Sequence, residues 1–330
     1  MIETGVAVIG GGASGLAAAI ASATAGASTV LFDEAAAAGG ELRYRLGEVA
    51  VDERRRFAGP QATRALLDDA YAAGVEVHAA TTVFGVWPSF EVGLRREAGP
   101  ARIRAQRVIV ATGATDLPAI FPGGSLPGVI TWSGLLRLLH VHRVLPGQRF
   151  VLVGDGAEVA EAAEAIDLAG GAVVRRVPLA LRRELVAYGA RGIERVTVGG
   201  EAVAADCVVV CAGRMPDVAA PMMLETPTGY SATLGGFVAA RNEVGETLTP
   251  GLFVCGNAAG VTDPATAIAE GTVAGLAAAM SLGAATGVQV AEAVARVRAL
   301  APGRIEAQTA VQPAWVQHFV HSVAATAGER

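Results

Sequence analysis

The residues best placed to do chemistry open the chain. Gly10, Gly12 and Gly15 stand in the pattern Gly-x-Gly-x-x-Gly, after an apolar run from Val6 to Ile9 and before a small-residue stretch reaching about Ala25. Gly10 permits a tight turn, Gly12 lets the backbone approach a pyrophosphate, and Gly15 lets helix and strand pack closely. The helix N-terminus then faces phosphate charge. Asp33 ends the next apolar strand, about 20 residues on, where a carboxylate hydrogen-bonds a ribose diol. A chain with 42 glycines makes the glycine pattern alone weak. Loop and acid together point to an adenine dinucleotide.

Other chemistries are thinly supplied. All 26 basic residues are Arg, which removes a lysine Schiff base, a Walker-loop lysine and a lysine general base. The net charge of −5 gives no electrostatic case for nucleic acid. Cys207, Cys211 and Cys255 are too few for the four thiolates of a standard iron–sulfur cluster. Cys207 and Cys211 fall in a buried-strand pattern, about 13 Å apart at strand rise, too far for a disulfide. All three read as buried, reduced thiols, and with no signal peptide they point to the cytoplasm. His140 and His142 would sit on different helix faces, and His318 and His321 have no acid or cysteine beside them, so no metal site is expected. Arg54 to Arg56 reads as a solvated loop. No catalytic residue is assigned.

The elements that must hold the loop appear twice. Val6 to Ile9, the glycine loop, a helix and a strand ending at Asp33 are echoed by Phe150 to Val153, Gly154-Asp-Gly156, a helix to about Ala169 and a strand near 173–177. Each half closes alike, with Val108-Ile-Val-Ala-Thr-Gly113 and Val208-Val-Val-Cys-Ala-Gly213. Proline-rich segments follow each, at Pro118, Pro122 and Pro127, then at Pro216, Pro221 and Pro227; they read as non-helical crossings. The interval from Gly154 to Gly213 is little more than half that from Gly10 to Gly113, so the second unit reads as pruned to one clear βαβ with strand-like ends at Ile193–Val198 and Cys207–Cys211. The first has room for a helix over 61–73 and a meander near 82–87, 91–95 and 102–105. A long Ala-rich helix is expected over 265–282, with tail helices over 289–300 and 314–327.

The uncharged stretch from Gly5 to Phe32 is long enough to span a bilayer, but its glycines and lack of a basic flank fit a βαβ unit better. No transmembrane segment is expected. The fold class is α/β with two Rossmann-like dinucleotide-binding domains in a three-layer ββα arrangement, the second shortened. The FAD-type domain is discontinuous, 1–117 and 228–288, around a shortened NAD(P)-binding-like domain at 118–227, with a helical tail at 289–330.

GGGASG with Asp33, the pair Gly39-Gly40, Ala111-Thr112-Gly113 and the run from Thr249 to Asn257 together resemble the two-dinucleotide-domain flavoproteins of the pyridine nucleotide-disulfide oxidoreductase type. More narrowly, ATGATDLPAIFPG, LPGV and LLHVHRVLPGQ resemble the FAD subunits of the cyanide synthase, opine oxidase and heteromeric hydroxyproline and proline dehydrogenase group. The likeness runs from residue 2 to about 283.

The resemblance implies an extended FAD. Gly10, Gly12, Ala13, Ser14, Gly15, Asp33 and Glu34 would hold the ADP half, with Val83 meeting the adenine through its backbone. Gly40 and Glu41 would lie along the flavin side, with Arg43 and Arg45 as partners for Glu41, which stands where Gln is common. Ala111, Thr112 and Gly113 would pass beneath the pyrophosphate and ribityl region. Gly256 precedes Asn257, which replaces the usual ribityl-binding Asp and is still able to accept that hydrogen bond. Thr266 and Ala267 would begin a helix whose positive end faces the flavin C2 carbonyl.

In the second loop Val159 replaces the third glycine, and Arg175 and Arg176 replace the acidic strand end; arginines there suit a 2′-phosphate, yet a packing domain is the expected role and NAD(P) is doubtful. The resemblance also implies a partner flavoprotein that oxidises a small amine or amino acid, and a [2Fe–2S] cluster carried by a small partner subunit. Trp315, Phe319 and Val323, at i, i+4 spacing, offer either a partner-docking or a self-packing face. The leading reading is an FAD-binding relay subunit. The alternatives are a stand-alone NAD(P)H-dependent flavin reductase and a scaffold with a structural dinucleotide.

Overall fold

The computed structural model of the chain describes residues 2–311. The expected helix at 314–327, the pair His318 and His321, and the Trp315 series lie outside the described residues. The α-helices within them run in order as α1 (Ala13–Thr24), α2 (Gly59–Ala72), α3 (Trp132–His140), α4 (Ala157–Leu168), α5 (Ala219–Met223), α6 (Pro264–Met280), α7 (Gly287–Leu300) and α8 (Arg304–Thr309). None of them is long and apolar enough to cross a membrane. Gly5 to Phe32 folds as strand, helix and strand.

The chain divides into two compact units. Among the described residues, the first holds those up to Leu42, Leu46–Ala114 and those from Met215 on; the second holds Arg43–Arg45 and Thr115–Arg214. The return to the first unit thus falls at 214/215, ahead of the expected 227/228. Pro221 departs from the expected non-helical crossing: it sits in the first turn of α5, where its missing N–H costs nothing because first-turn amides have no intrahelical acceptor.

In the first unit, strands Glu76–His78, Thr29–Phe32, Ile2–Ile9 and Gly99–Val110 lie in that order, with Leu252–Val254 on the far side of Gly99–Val110. All these pairs are parallel, as βα crossovers require. Gly99–Val110 is one continuous strand where two short segments were expected, and its first half also pairs antiparallel with Glu91–Arg96, which pairs with Thr82–Trp87. The strand alternation decides the cores. Val6, Val8 and Ile109 pack with Leu16 of α1 and Ile268 of α6, while Ala7, Ile9, Val108 and Val110 pack with Val86, Val92 and Leu94 of the meander.

Helices α1 and α6 meet backbone to backbone. A Cβ at Gly271 would lie 2.1 Å from the Ser14 carbonyl oxygen, and one at Gly275 would lie 2.2 Å from that of Ala18. Helices α7 and α8 close over the outer face of α6, where Val290, Val294, Val297 and Ile305 pack on Ala269 and Val273.

The second unit holds the expected βαβ and the strands near 193–198 and 207–211, and adds Val129–Thr131, Leu185–Tyr188 and Glu201–Ala204. Its parallel strands run Val129–Thr131, Cys207–Cys211, Arg149–Gly154 and Ala172–Val177, in that spatial order. One face packs on α3 and α4, through Leu152, Val209, Leu135, Leu136 and Ile166. The other, through Val151, Val153 and Val208, packs on an antiparallel sheet of Leu185–Tyr188, Arg195–Val198 and Glu201–Ala204.

Arg54 to Arg56 is solvated in part: Arg54 is exposed in a bend and Arg56 is exposed at a strand start, whereas Arg55 is half-buried. Arg55 is held by Asp52 and by Asp69, the latter at 2.8 Å, and Arg56 lies in the strand Arg56–Ala58. The apolar Val49, Val51 and Phe57 around it anchor the segment on the core, which gives the guanidinium fixed carboxylates to reach.

Candidate dinucleotide site

The first glycine loop divides its labour. A Cβ at Gly10 would lie 2.4 Å from the Ala111 carbonyl oxygen and one at Gly15 only 1.8 Å from that of Gly10, so both are demanded by packing. Gly12 is different: the nearest atom to its Cβ position is 3.9 Å away, on Gly40. The space in front of Gly12 is therefore open while the loop around it is locked. Helix α1 starts at Gly12 with no side-chain cap, leaving its first-turn amides to an external acceptor. This is a cradle suited to a diphosphate.

Asp33 is 9% exposed and staples this loop. Its Oδ2 accepts from the Gly11 amide at 2.7 Å and its Oδ1 from the Ala35 amide at 2.8 Å. Its own backbone bonds His78 and Thr81, which brings the strand bearing Val83 alongside; Val83 is half-buried and Glu34 exposed. The Gly39 amide donates to the Gly11 carbonyl at 2.7 Å, and Gly40, at φ +52°, lies against Gly12. Ala111 is buried against Gly15, and the Thr112 hydroxyl donates to the Asp217 carbonyl at 3.4 Å. Gly113, at φ +85°, has open space about its Cβ position. Loop, acid, Gly40 and Ala111–Gly113 thus converge.

Several expected roles change. The Ser14 side chain turns inward, to where a Cβ on Gly256 would lie 2.3 Å from its hydroxyl oxygen, so only its backbone can face a ligand. The Asn257 Oδ1 accepts from the Thr262 amide at 2.9 Å, which closes the protein's own loop and leaves its second lone pair and the side-chain NH2 to offer a ligand. The positive end of α6 is not bare. Asp263 caps it, accepting from the Thr266 amide at 3.0 Å and the Thr266 hydroxyl at 2.6 Å, with Ala267 bonded to its backbone carbonyl. Burial pushes the Asp263 carboxyl up, but the Thr266 hydroxyl and the amides of Thr266 and Ala265 outweigh it and hold it below its ordinary range. Arg45, one of the two partners expected for Glu41, pairs instead with Glu161 at 3.0 Å, because its backbone belongs to the second unit.

The sequence reading missed Asp263, Thr262 and Asp217. Asp263-Pro264 carries a visible signal, an Asp cap ahead of a first-turn proline. Nothing local marks the other two.

The second loop keeps the backbone and changes the chemistry. A Cβ at Gly154 would lie 1.9 Å from the Cys211 carbonyl oxygen, the counterpart of Gly10 on Ala111. Beyond it lies a cavity of about 390 Å³ lined by Arg45, Trp132, Asp155, Glu158, Glu161 and Arg214, among others. Asp155 accepts from the Leu179 amide at 3.1 Å. Glu158, in the first turn of α4, accepts from the Gly213 amide at 3.2 Å and faces Arg214 at 3.4 Å; burial pushes its carboxyl up. The guanidiniums of Arg45 and Arg214 both lie over the Trp132 ring. Three carboxylates line a loop that would face a diphosphate, and both cavity arginines already have acids. Arg175 pairs with Glu201 at 3.2 Å, since the added antiparallel sheet places that acid within reach.

All three cysteines are free and buried, with thiols pushed up to about 12, by burial above all. Among the described residues no group of three His, Cys, Asp or Glu is arranged to hold a metal.

The family model for pyridine nucleotide-disulphide oxidoreductase matches residues 4–187, more than half of the chain. The chain belongs to this family. It is an FAD-dependent oxidoreductase, and the open cradle at Gly12 with Asp33 behind it fits that cofactor. An opine oxidase subunit of Rhizobium meliloti (strain 1021) is 29% identical over 325 residues, an alignment covering 84% of this chain and 71% of that protein. The sarcosine oxidase alpha subunit of the same strain is 29% identical over 298 residues, covering 80% of this chain but 29% of that much longer protein. Among solved structures, L-proline dehydrogenase from P. horikoshii shares the fold with a TM-score of 0.79 at 21% identity, over 90% of this chain and 59% of that one. The chain therefore spans under two thirds of two of these three relatives.

Proposed function

We propose that this chain is the FAD-carrying subunit of a heteromeric amine or amino-acid dehydrogenase or oxidase, passing electrons between an acceptor and a catalytic flavoprotein partner. The observation that carries the reading is the asymmetry of the two glycine loops. The first combines packing-locked glycines, an open Gly12 and the Asp33 staple; the second presents Asp155, Glu158 and Glu161. One dinucleotide and no pyridine-nucleotide donor is the arrangement of a relay rather than of a self-sufficient reductase. The relatives named as opine and sarcosine oxidases are themselves named as subunits, which supports a multi-chain assembly.

Bound FAD would supply two-electron redox chemistry. The first-turn amides of α1 would hold its diphosphate, Asp33 its ribose, and the Gly40–Glu41 segment, Gly113 and the Asn257 amide would follow the chain toward the ring. The three buried thiols, with no partner sulfur in reach and thiolates disfavoured, support a chain that does no dithiol chemistry; a [2Fe–2S] cluster in the assembly would sit on a small partner subunit.

The test is anaerobic. The chain purified with its genomic neighbours should carry FAD, and that flavin should bleach with a small amine or amino acid substrate but not with NADH or NADPH over minutes. Rapid bleaching by NADH or NADPH with the chain alone identifies a flavin reductase instead. A flavin that the whole complex plus substrate never reduces identifies a scaffold.

A further inference from the structure

One charged side chain interrupts the otherwise apolar and hydroxyl-bearing helix α6. Glu270 is 3% exposed, and burying a carboxylate is costly unless every lone pair is used. Here they are used. Its Oε1 accepts from Arg304 Nε at 2.6 Å and Gln308 Nε2 at 2.8 Å, with Arg241 Nη2 at 3.6 Å. Its Oε2 accepts from the Gly256 amide at 3.0 Å and Arg304 Nη2 at 3.3 Å.

The remaining bonds of these residues share one destination. Arg304 Nη2 donates to the Gly260 carbonyl at 2.6 Å and Nη1 to that of Val261 at 3.3 Å, while Gln308 Nε2 also donates to Ala259 at 3.1 Å. The loop from Gly256 to Val261 is thus gripped at its first amide and at three successive carbonyls. It needs the grip, because it turns through φ +65° at Gly256 and +130° at Gly260, and it carries Asn257. Arg241 braces the underside, donating to the Val254 carbonyl at 3.1 Å just before the loop. A buried ion network is a poor source of stability compared with apolar packing. What it gives this protein is one loop conformation.

We propose that Glu270 and the α8 side chains Arg304 and Gln308 form a clamp that sets the cofactor-facing loop Gly256–Val261, making them positioning residues for FAD and making the seating of the cofactor depend on α8. The cofactor part rests on the FAD reading of the first unit. Whatever displaces α8 loosens the loop three bonds at a time.

The test has two arms. In the cofactor-stripped full chain, Arg304→Leu should speed hydrogen exchange of the amides over 256–262 by roughly tenfold or more, the loss of charge-assisted bonds. Titrated with FAD, the same variant should bind roughly tenfold or more weakly and show altered visible circular dichroism of the bound flavin. Arg104→Ala, which breaks an exposed ion pair with Glu91, should change neither, and Val294→Ala, a core truncation in α7, should lower the unfolding temperature without changing the flavin dichroism. Should Arg304→Leu not fold, Gln308→Met carries both arms. Unchanged exchange over 256–262 overturns the clamp, as does FAD affinity within about twofold of the unaltered chain. An equal dichroism change in Val294→Ala reduces the network to a structural role and also overturns it. An unaltered chain that takes up no FAD defeats the cofactor reading, while the exchange arm still decides the clamp.

Discussion

Asp33 accepts the amide hydrogen of Gly11 at 2.7 Å, so the strand-end carboxylate and the glycine loop are one bonded unit before any ligand arrives. The acid therefore has two tasks, shaping the loop and offering its remaining lone pairs to a ribose. Asp33→Ala removes both and leaves a buried amide without an acceptor, at a cost of about 1–3 kcal/mol. FAD affinity measured by flavin fluorescence titration should fall by roughly 10- to 100-fold. Asp33→Asn, which keeps a carbonyl oxygen, should lose less.

Gly12 and Gly15 separate binding from folding. Gly15→Ala places a methyl group against the Gly10 carbonyl and should destabilise the cofactor-free chain by about 1–3 kcal/mol in urea titrations. Gly12→Ala meets nothing closer than 3.9 Å and should leave that stability nearly unchanged while abolishing flavin retention. A Gly12→Ala protein that is well folded and still yellow would refute the placement of the diphosphate.

The cysteines give a chemical readout of burial. With thiols pushed up to about 12 and no exposed sulfur, the native chain should show no reaction with a thiol-exchange reagent at pH 8. In denaturant all three should react. Flavin reduction in the assembled complex should survive prior treatment of this chain with an alkylating reagent.

Asp206 gives the second unit an acid-sensitive joint. Its hydrogen bond from Arg149 lowers the carboxyl most, burial opposes, and the amides of Gln148 and Arg149 add to the lowering, for a value of about 2 against an ordinary 3.8. A depressed folded-state value means stability present above 3.8 and lost as the pH falls through about 2. The pair is partly exposed, so screening reduces its worth to about 1 kcal/mol. Asp206→Asn should therefore cost about that much at pH 7 and progressively less below pH 4, as read by urea denaturation at pH 7 and pH 3.

Much of this was legible in the residue order because the decisive constraints were local. Gly10, Gly15 and Gly154 have the spacing that close strand–helix contact imposes, and the continuous apolar runs from Val108 and Val208 read as strands buried on both faces. What was hidden depended on partners far along the chain. Arg45 meets Glu161, Arg175 meets Glu201 and Glu270 meets Arg304 only after tertiary folding. Helix α3 was obscured because Trp132 to His140 sits between glycine- and proline-rich segments that dominate its neighbourhood. For Asn257, composition tells which hydrogen bonds an amide can make, not that the Thr262 amide would take one lone pair of its oxygen.

The seam between α1 and α6, where Gly271 and Gly275 admit the carbonyls of Ser14 and Ala18, gives the first unit a rigid gauge. At these two contacts no side chain intervenes, so the helix separation there is set by peptide geometry. An elongated guest would meet a ruler already cut to length, and the chain would surrender little configurational freedom on loading it. Binding heat should then reflect the guest's own desolvation more than any rearrangement of its host.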